Sequence, residues 1–129
     1  MSKLLPTPTE AELEILQVLW RRGPQSVQKV WEEFGGTGAY TTTLKLLQIM
    51  HEKGLVRRDE SQMTHIYEAA IAERDNQKQM VEGLIDRVFG GSVSELVLRA
   101  LSSKAASPKE LAAIRSLLNE ASKKKGKRG

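Results

Sequence analysis

Residues 39–54, AYTTTLKLLQIMHEKG, open what reads as a helix with a tyrosine and a run of threonines. The branched Cβ of threonine restricts χ1, so the run weakens the helix that it begins. In exchange it clusters short hydroxyls at a helix end whose unpaired N–H groups and partial positive charge suit phosphate oxygens. The hydroxyls of Thr41 and Thr42 and the phenol of Tyr40 can meet phosphates or base edges, and a threonine methyl can touch the methyl of thymine. Lys45 follows one turn later, and Gln48, a side chain suited to bidentate reading of adenine, about one turn beyond that. Leu47, Met50 and Leu44 fall on the side that would pack inward. A threonine at a helix start is also an ordinary capping residue, and the run taken alone fits either role.

Arg57 and Arg58 follow on a short apolar-polar stretch. A pair of arginines at the base of a wing can meet phosphates, and exposed arginines on a strand are equally often just solvated. The tip beyond them carries Asp59 and Glu60, whose charge argues against deep insertion into a groove. His65 reads as a strand residue rather than a switch. The two histidines, the absence of cysteine and the scattered carboxylates form no nucleophile–base or metal constellation, so neither catalysis nor a cofactor is expected. The glycine pairs follow helical segments and lack a strand-to-phosphate-loop context, so they read as turns.

The elements that must carry these residues are marked by repeated start signals. Thr7-Pro8-Thr9-Glu10, Ser92-Val93-Ser94-Glu95 and Ser107-Pro108-Lys109-Glu110 each place a hydroxyl at a cap and a glutamate three residues later. Pro8 and Pro108 suit the first helical position. The first helix is expected from about Pro8 to Arg22, with Leu13, Leu16, Leu19 and Trp20 as its apolar stripe. A shorter helix follows Ser26, with Val27, Val30, Trp31 and Phe34 on one face. The Gly35-Gly36-Thr37-Gly38 turn leads to the threonine-led helix, which Gly54 ends as a left-handed residue. LVRR and HIYEAA read as two strands around the polar connection DESQMT. Helix, helix, helix, strand, turn, strand is the order of a winged helix-turn-helix, expected over residues 1–71.

Residues 72–121 read as helical throughout, with Gly90-Gly91 as a break. Three short helices have trouble closing an independent core. Their apolar residues Leu84, Ile85, Val88, Phe89, Leu96, Val97 and Leu101 therefore predict a homodimer interface. The fold class expected is mainly α: a winged helix-turn-helix with a small two-stranded wing, followed by a C-terminal helical dimerisation region.

Bulk properties set bounds on this reading. A hydrophobic fraction of 40% and a charged fraction of 28% suit a globular domain. No apolar run approaches membrane-spanning length and the start lacks a signal-peptide core, which predicts a cytoplasmic protein without membrane insertion. The net charge of +4 is more than accounted for by the five basic residues of KKKGKRG, so residues 122–129 are expected to form a disordered, solvated tail. Residues 1–70 hold eight basic and nine acidic side chains. Any DNA surface must then be a local patch, and a winged-helix module that binds protein instead of DNA is the alternative.

Several segments together resemble the penicillinase-repressor family, the BlaI/MecI/CopY group. They are PTEAELEILQVLWRRGPQSVQKV, YTTTLKLLQIMHEKGLVRRD, IYEA, LIDRVFGGSVSELVLRAL and SPKELAAIRSLL, and the likeness extends to about Ala121. The resemblance implies an N-terminal winged helix that binds a palindromic operator and a C-terminal helical dimerisation arm. Tyr40, Thr41, Thr42 and Lys45 match the DNA-facing start of its motif, Arg57 and Arg58 the first wing strand, and Leu84, Val88, Phe89, Leu96 and Val97 the dimer segment. Copper-responsive members carry a cysteine motif that this chain lacks. Members inactivated by a membrane-bound sensor peptidase carry an Asn-Phe bond where this chain has Arg99-Ala100, so such a partner would have to cut elsewhere. The function expected is transcriptional repression by a homodimer on double-stranded operator DNA, released by proteolysis or loss of dimerisation.

Overall fold

The computed structural model describes residues 7–128, with side chains as far as Lys124. Its elements run α1 (Glu10–Arg22), β1 (Gln25–Ser26), α2 (Val27–Glu33), α3 (Tyr40–Lys53), β2 (Val56–Asp59), β3 (Ile66–Ala69), α4 (Glu73–Val88), α5 (Val93–Ser103) and α6 (Pro108–Arg128). The chain divides into two compact units, one ending at Gly83 and one beginning at Leu84. The first is a winged helix-turn-helix, and the fold is mainly α.

α1 starts two residues later than its Thr-Pro signal suggests. Thr9 is the cap: its hydroxyl accepts the Glu12 N–H at 3.2 Å, and the Glu12 carboxylate accepts the Thr9 N–H at 2.9 Å. Two overlapping Thr-x-x-Glu frames are available in TPTEAE, and the second, which forms, also carries a distant contact. Lys53 at the end of α3 donates to both Glu12 oxygens, at 2.8 and 3.1 Å, while Glu12 is only 2% exposed. The carboxylate thus closes a capping box and anchors α3 to α1 at once. Burial by itself raises the Glu12 pKa, but the hydrogen bonds from Lys53 and Thr9 outweigh it and hold the carboxyl below its ordinary 4.5.

The core joins Ile15, Leu16 and Leu19 of α1, Val27 and Val30 of α2, and Leu47 and Met50 of α3 to Leu55, Val56 and Tyr67. Leu16, Val30, Leu47, Met50 and Leu55 are fully buried, each stabilising the fold by about 1.5–3 kcal/mol relative to exposure. The stripe on α1 is centred on Ile15, Leu16, Val18 and Leu19, with Leu13 and Trp20 half-buried at its edges. Trp20 instead donates its indole N–H to the Ile71 carbonyl at 2.9 Å, tying α1 to the segment after β3. α3 ends as expected: Gly54 is left-handed, its N–H and that of Leu55 bond back to His51 and Met50, and Leu55 packs in the core with Met50.

The sheet has one strand more than expected. β1 pairs antiparallel with β3, and β3 with β2, giving the order β1-β3-β2. β2 and β3 form the two-stranded wing, paired from Val56–Ala69 to Asp59–Ile66. Trp31 and Phe34 also depart from expectation, since Trp31 is half-buried and Phe34 is exposed, and only Val27 and Val30 of that face reach the core.

The second unit contains the end of α4, then α5 and α6. Its helix starts follow the hydroxyl-and-glutamate signal: Ser92 accepts from the Glu95 N–H, and Ser107 and Glu110 bond each other's amides reciprocally. The first unit takes in the start of α4, where Asn76 is buried. α6 continues through Lys123 and Lys124 to Arg128. Lysine is a good helix former, and its positive charge suits a helix C-terminus.

Candidate nucleic-acid interface

α3 presents two chemically distinct sides. Thr43, Leu47 and Met50 are buried, whereas Thr41, Thr42, Lys45 and Gln48 are exposed. The cap position belongs to Ala39, which offers no side-chain hydrogen bond. Thr41 and Thr42 lie inside the first turn and do not cap the helix, so the ordinary explanation for threonines at a helix start does not apply to them. Thr41, Thr42 and Lys45 line one shallow groove of about 320 Å³ together with Leu46 and Ile49.

Leu46 and Ile49 were not among the expected contact residues. Both are half-buried, Leu46 packs against the core, and both line the groove with Thr41, Thr42 and Lys45. The spacing Thr42, Leu46, Ile49 places them on one helical stripe, a signal that could have found them. Gln48 is exposed outside the groove lining, and Tyr40 is 39% exposed with its ring against Trp31.

Arg57 and Arg58 do not join that groove. Arg57 stands opposite Glu68 in the β2–β3 register and pairs with it at 3.2 Å. Arg58 pairs with Glu60 at 2.6 Å, and the Tyr67 phenol and that carboxylate both hold its pKa above the ordinary value. A separate depression of about 250 Å³ over the sheet is lined by Pro24, Arg57, Arg58, Asp59, Ile66 and Glu68. The wing carboxylates are themselves satisfied. Asp59 accepts from the hydroxyl and N–H of Ser61 at 2.7 and 2.9 Å, and Glu60 from Arg58, which places both below their usual pKa. Local contacts two residues apart thus satisfy both carboxylates of the acidic wing tip, Asp59 through Ser61 and Glu60 through Arg58.

The candidate self-association residues lie in a different environment from the core of the winged helix. Leu84, Val88, Val97 and Leu101 are exposed, Val88 by 62%, while Ile85, Phe89 and Leu96 are half-buried. No residue of α5 is buried, and Val93 and Leu98 are exposed along with Leu111, Leu117 and Leu118 of α6.

The sequence model of the penicillinase repressor family matches residues 8–120, nearly the whole chain. The chain belongs to that family. Among its relatives within the family, a penicillinase repressor of Staphylococcus aureus is 23% identical over 116 residues, covering 88% of this chain and 92% of the relative. A penicillinase repressor of Bacillus licheniformis is 23% identical over 120 residues, 92% of this chain and 94% of the relative. The methicillin resistance regulatory protein MecI of Staphylococcus aureus strain N315 is also 23% identical, over 87% of this chain and 93% of its own. The structure of a MarR family protein from Bacillus stearothermophilus is similar with a TM-score of 0.48 and 19% identity, over 92% of this chain and 75% of that one. The family's match includes both the threonine-led helix and α5, where Arg99 and Ala100 are exposed.

Proposed function

We propose that this protein is a transcriptional repressor that binds palindromic operator DNA as a homodimer in the cytoplasm. Residues 1–71 would bind DNA and residues 72–121 would associate with a second copy. The observation that carries the reading is the uncapped first half of α3, where Thr41, Thr42 and Lys45 line one open groove while the reverse side is sealed into the core. Family membership supports repression as the outcome of binding. Two copies of α3 would enter successive major grooves, about 34–36 Å apart for half-sites one turn apart. Tyr40 and the α3 amides would take phosphates, Thr41, Thr42, Lys45 and Gln48 would read bases, and Leu46 and Ile49 would meet thymine methyls. Arg57 and Arg58 would reach phosphates by exchanging Glu68 and Glu60 for them.

Dimerisation would use Leu84, Ile85, Val88, Phe89, Leu96, Val97 and Leu101, the apolar surface that the protomer leaves uncovered. Release would follow from loss of the dimer, because a monomer keeps only one half-site's contacts. Cleavage by a membrane-bound sensor peptidase at a bond other than Arg99-Ala100 is one route to that loss. The test is an anisotropy titration against the promoter duplex upstream of the protein's own gene and against an unrelated duplex. Preferential, salt-dependent binding of two protomers per promoter duplex is expected. Equal and weak binding to both would favour a protein-binding winged helix.

A further inference from the structure

Trp31 takes no part in the reading above, yet several contacts converge on it. Its indole N–H donates to the Gly38 carbonyl at 3.3 Å. Its ring meets that of Tyr40 edge-on, with centroids 6.1 Å apart and planes at 74°. Its six-membered ring also covers Gly36, where a Cβ would stand 3.5 Å from the indole carbons. The Trp31 carbonyl accepts the N–H groups of Phe34 and Gly36 at 3.2 and 3.1 Å. One residue therefore touches both ends of the α2–α3 turn and the first residue of α3.

That turn has little else to hold it. Gly35, Gly36 and Gly38 all have positive φ, a conformation that glycine supplies at the expense of a large loss of freedom on ordering. Ala39 contributes no side-chain cap to the helix that follows. Trp31 lies outside the buried core, and its large ring is placed against the glycine turn instead of the hydrophobic interior. An edge-to-face aromatic pair combined with an N–H bond is directional, and sets an orientation as well as a distance.

We propose that Trp31 is a positioning residue for DNA recognition: by bridging Gly36, Gly38 and Tyr40 it sets where the first turn of α3 meets the duplex. The inference rests on the DNA-binding reading of α3. It differs from a purely structural role in one respect. Replacing Trp31 removes no positive charge, so attraction to the phosphate backbone as a whole persists while base contacts lose their register.

The experiment uses the full-length chain and the duplex that it selects from a random pool, with a scrambled duplex as the comparison. Trp31→Ala should weaken binding to the selected duplex about 10-fold or more, with scrambled-duplex affinity nearly unchanged. Trp31→Phe, which keeps a ring beside Tyr40 but loses the indole N–H, should recover part of the preference. Circular dichroism confirms that each variant is folded. Unchanged preference in folded Trp31→Ala would overturn the proposal, as would an equal loss on both duplexes in folded Trp31→Phe. Failure of the wild-type chain to prefer any duplex would defeat the DNA reading itself, and the inference with it, a result distinct from failure in the variants alone.

Discussion

The winged helix and the helices after it are built from similar amphipathic segments, yet they finish in different states. α1, α2 and α3 turn their apolar sides to one another and to β2 and β3, and Leu16, Leu47 and Met50 are completely buried. α5 alternates apolar and polar residues as well as any helix in the chain, but none of its residues is buried. Amphipathic spacing thus marks the side of a helix that needs covering without saying what covers it. In the first unit the cover is local. In the second, Val93, Val97, Leu98 and Leu101 of α5 and Leu111, Leu117 and Leu118 of α6 stay open, which is the condition expected of a segment that folds fully only against another copy.

The largest effects should separate these two kinds of apolar residue. Leu47→Ala is expected to destabilise the protein by about 2–5 kcal/mol in urea or thermal unfolding, as for a large-to-small change at a closed site. Leu117→Ala, at a side chain 66% exposed, should stay within about 0.5 kcal/mol. Comparable losses for both would mean that Leu117 is covered, by a core of α6's own or by the second copy. Val88→Asp should convert the dimer to a monomer on sedimentation and weaken operator binding at least about 100-fold, the usual scale for losing a linked second contact. A persistent dimer would relocate the interface away from the end of α4.

A subtler contrast concerns charge. The Glu12–Lys53 contact is sheltered at its carboxylate, whereas the wing pair Arg57–Glu68 is open to solvent and Arg58 is half-buried with an exposed partner, Glu60. Glu12→Gln should cost about 1–3 kcal/mol near neutral pH, the scale of charge-assisted hydrogen bonds. Because the folded pKa of Glu12 is depressed, its contribution is complete above the ordinary carboxyl value of 4.5 and is lost as pH falls through the lower folded value. Acid titrations of stability should therefore be steeper for the wild type than for Glu12→Gln below about 4.5. The smallest effect is expected from Lys45→Ala, which should lower the salt slope of operator binding by about one. An unchanged slope would remove the Lys45 charge from the DNA contact surface.

Much of this architecture is legible in local sequence. Gly54 after Lys53, Ser26 before Val27 and Ser107 before Glu110 act through backbone groups a few residues away, so their neighbours suffice to read them. What escapes is whatever depends on distant partners. β1 is two residues long and exists as a strand only because β3 arrives beside it. Of the two possible frames at the start of α1, the one that forms has its glutamate bonded to Lys53, far along the chain. Trp31 has the spacing of a core residue, but its ring turns to the glycine turn. Likewise the threonines of α3 were open to two explanations until the cap position fell to Ala39.

The most direct test is hydroxyl-radical footprinting of the selected duplex with wild-type protein and with a Thr42→Ala/Lys45→Ala double variant that remains dimeric. The wild type should protect two backbone patches about 34–36 Å apart for half-sites one turn apart, and both should fade together in the double variant. The same pair of patches at the same protein concentration with the double variant would place DNA contact on some other face and contradict the role assigned to α3.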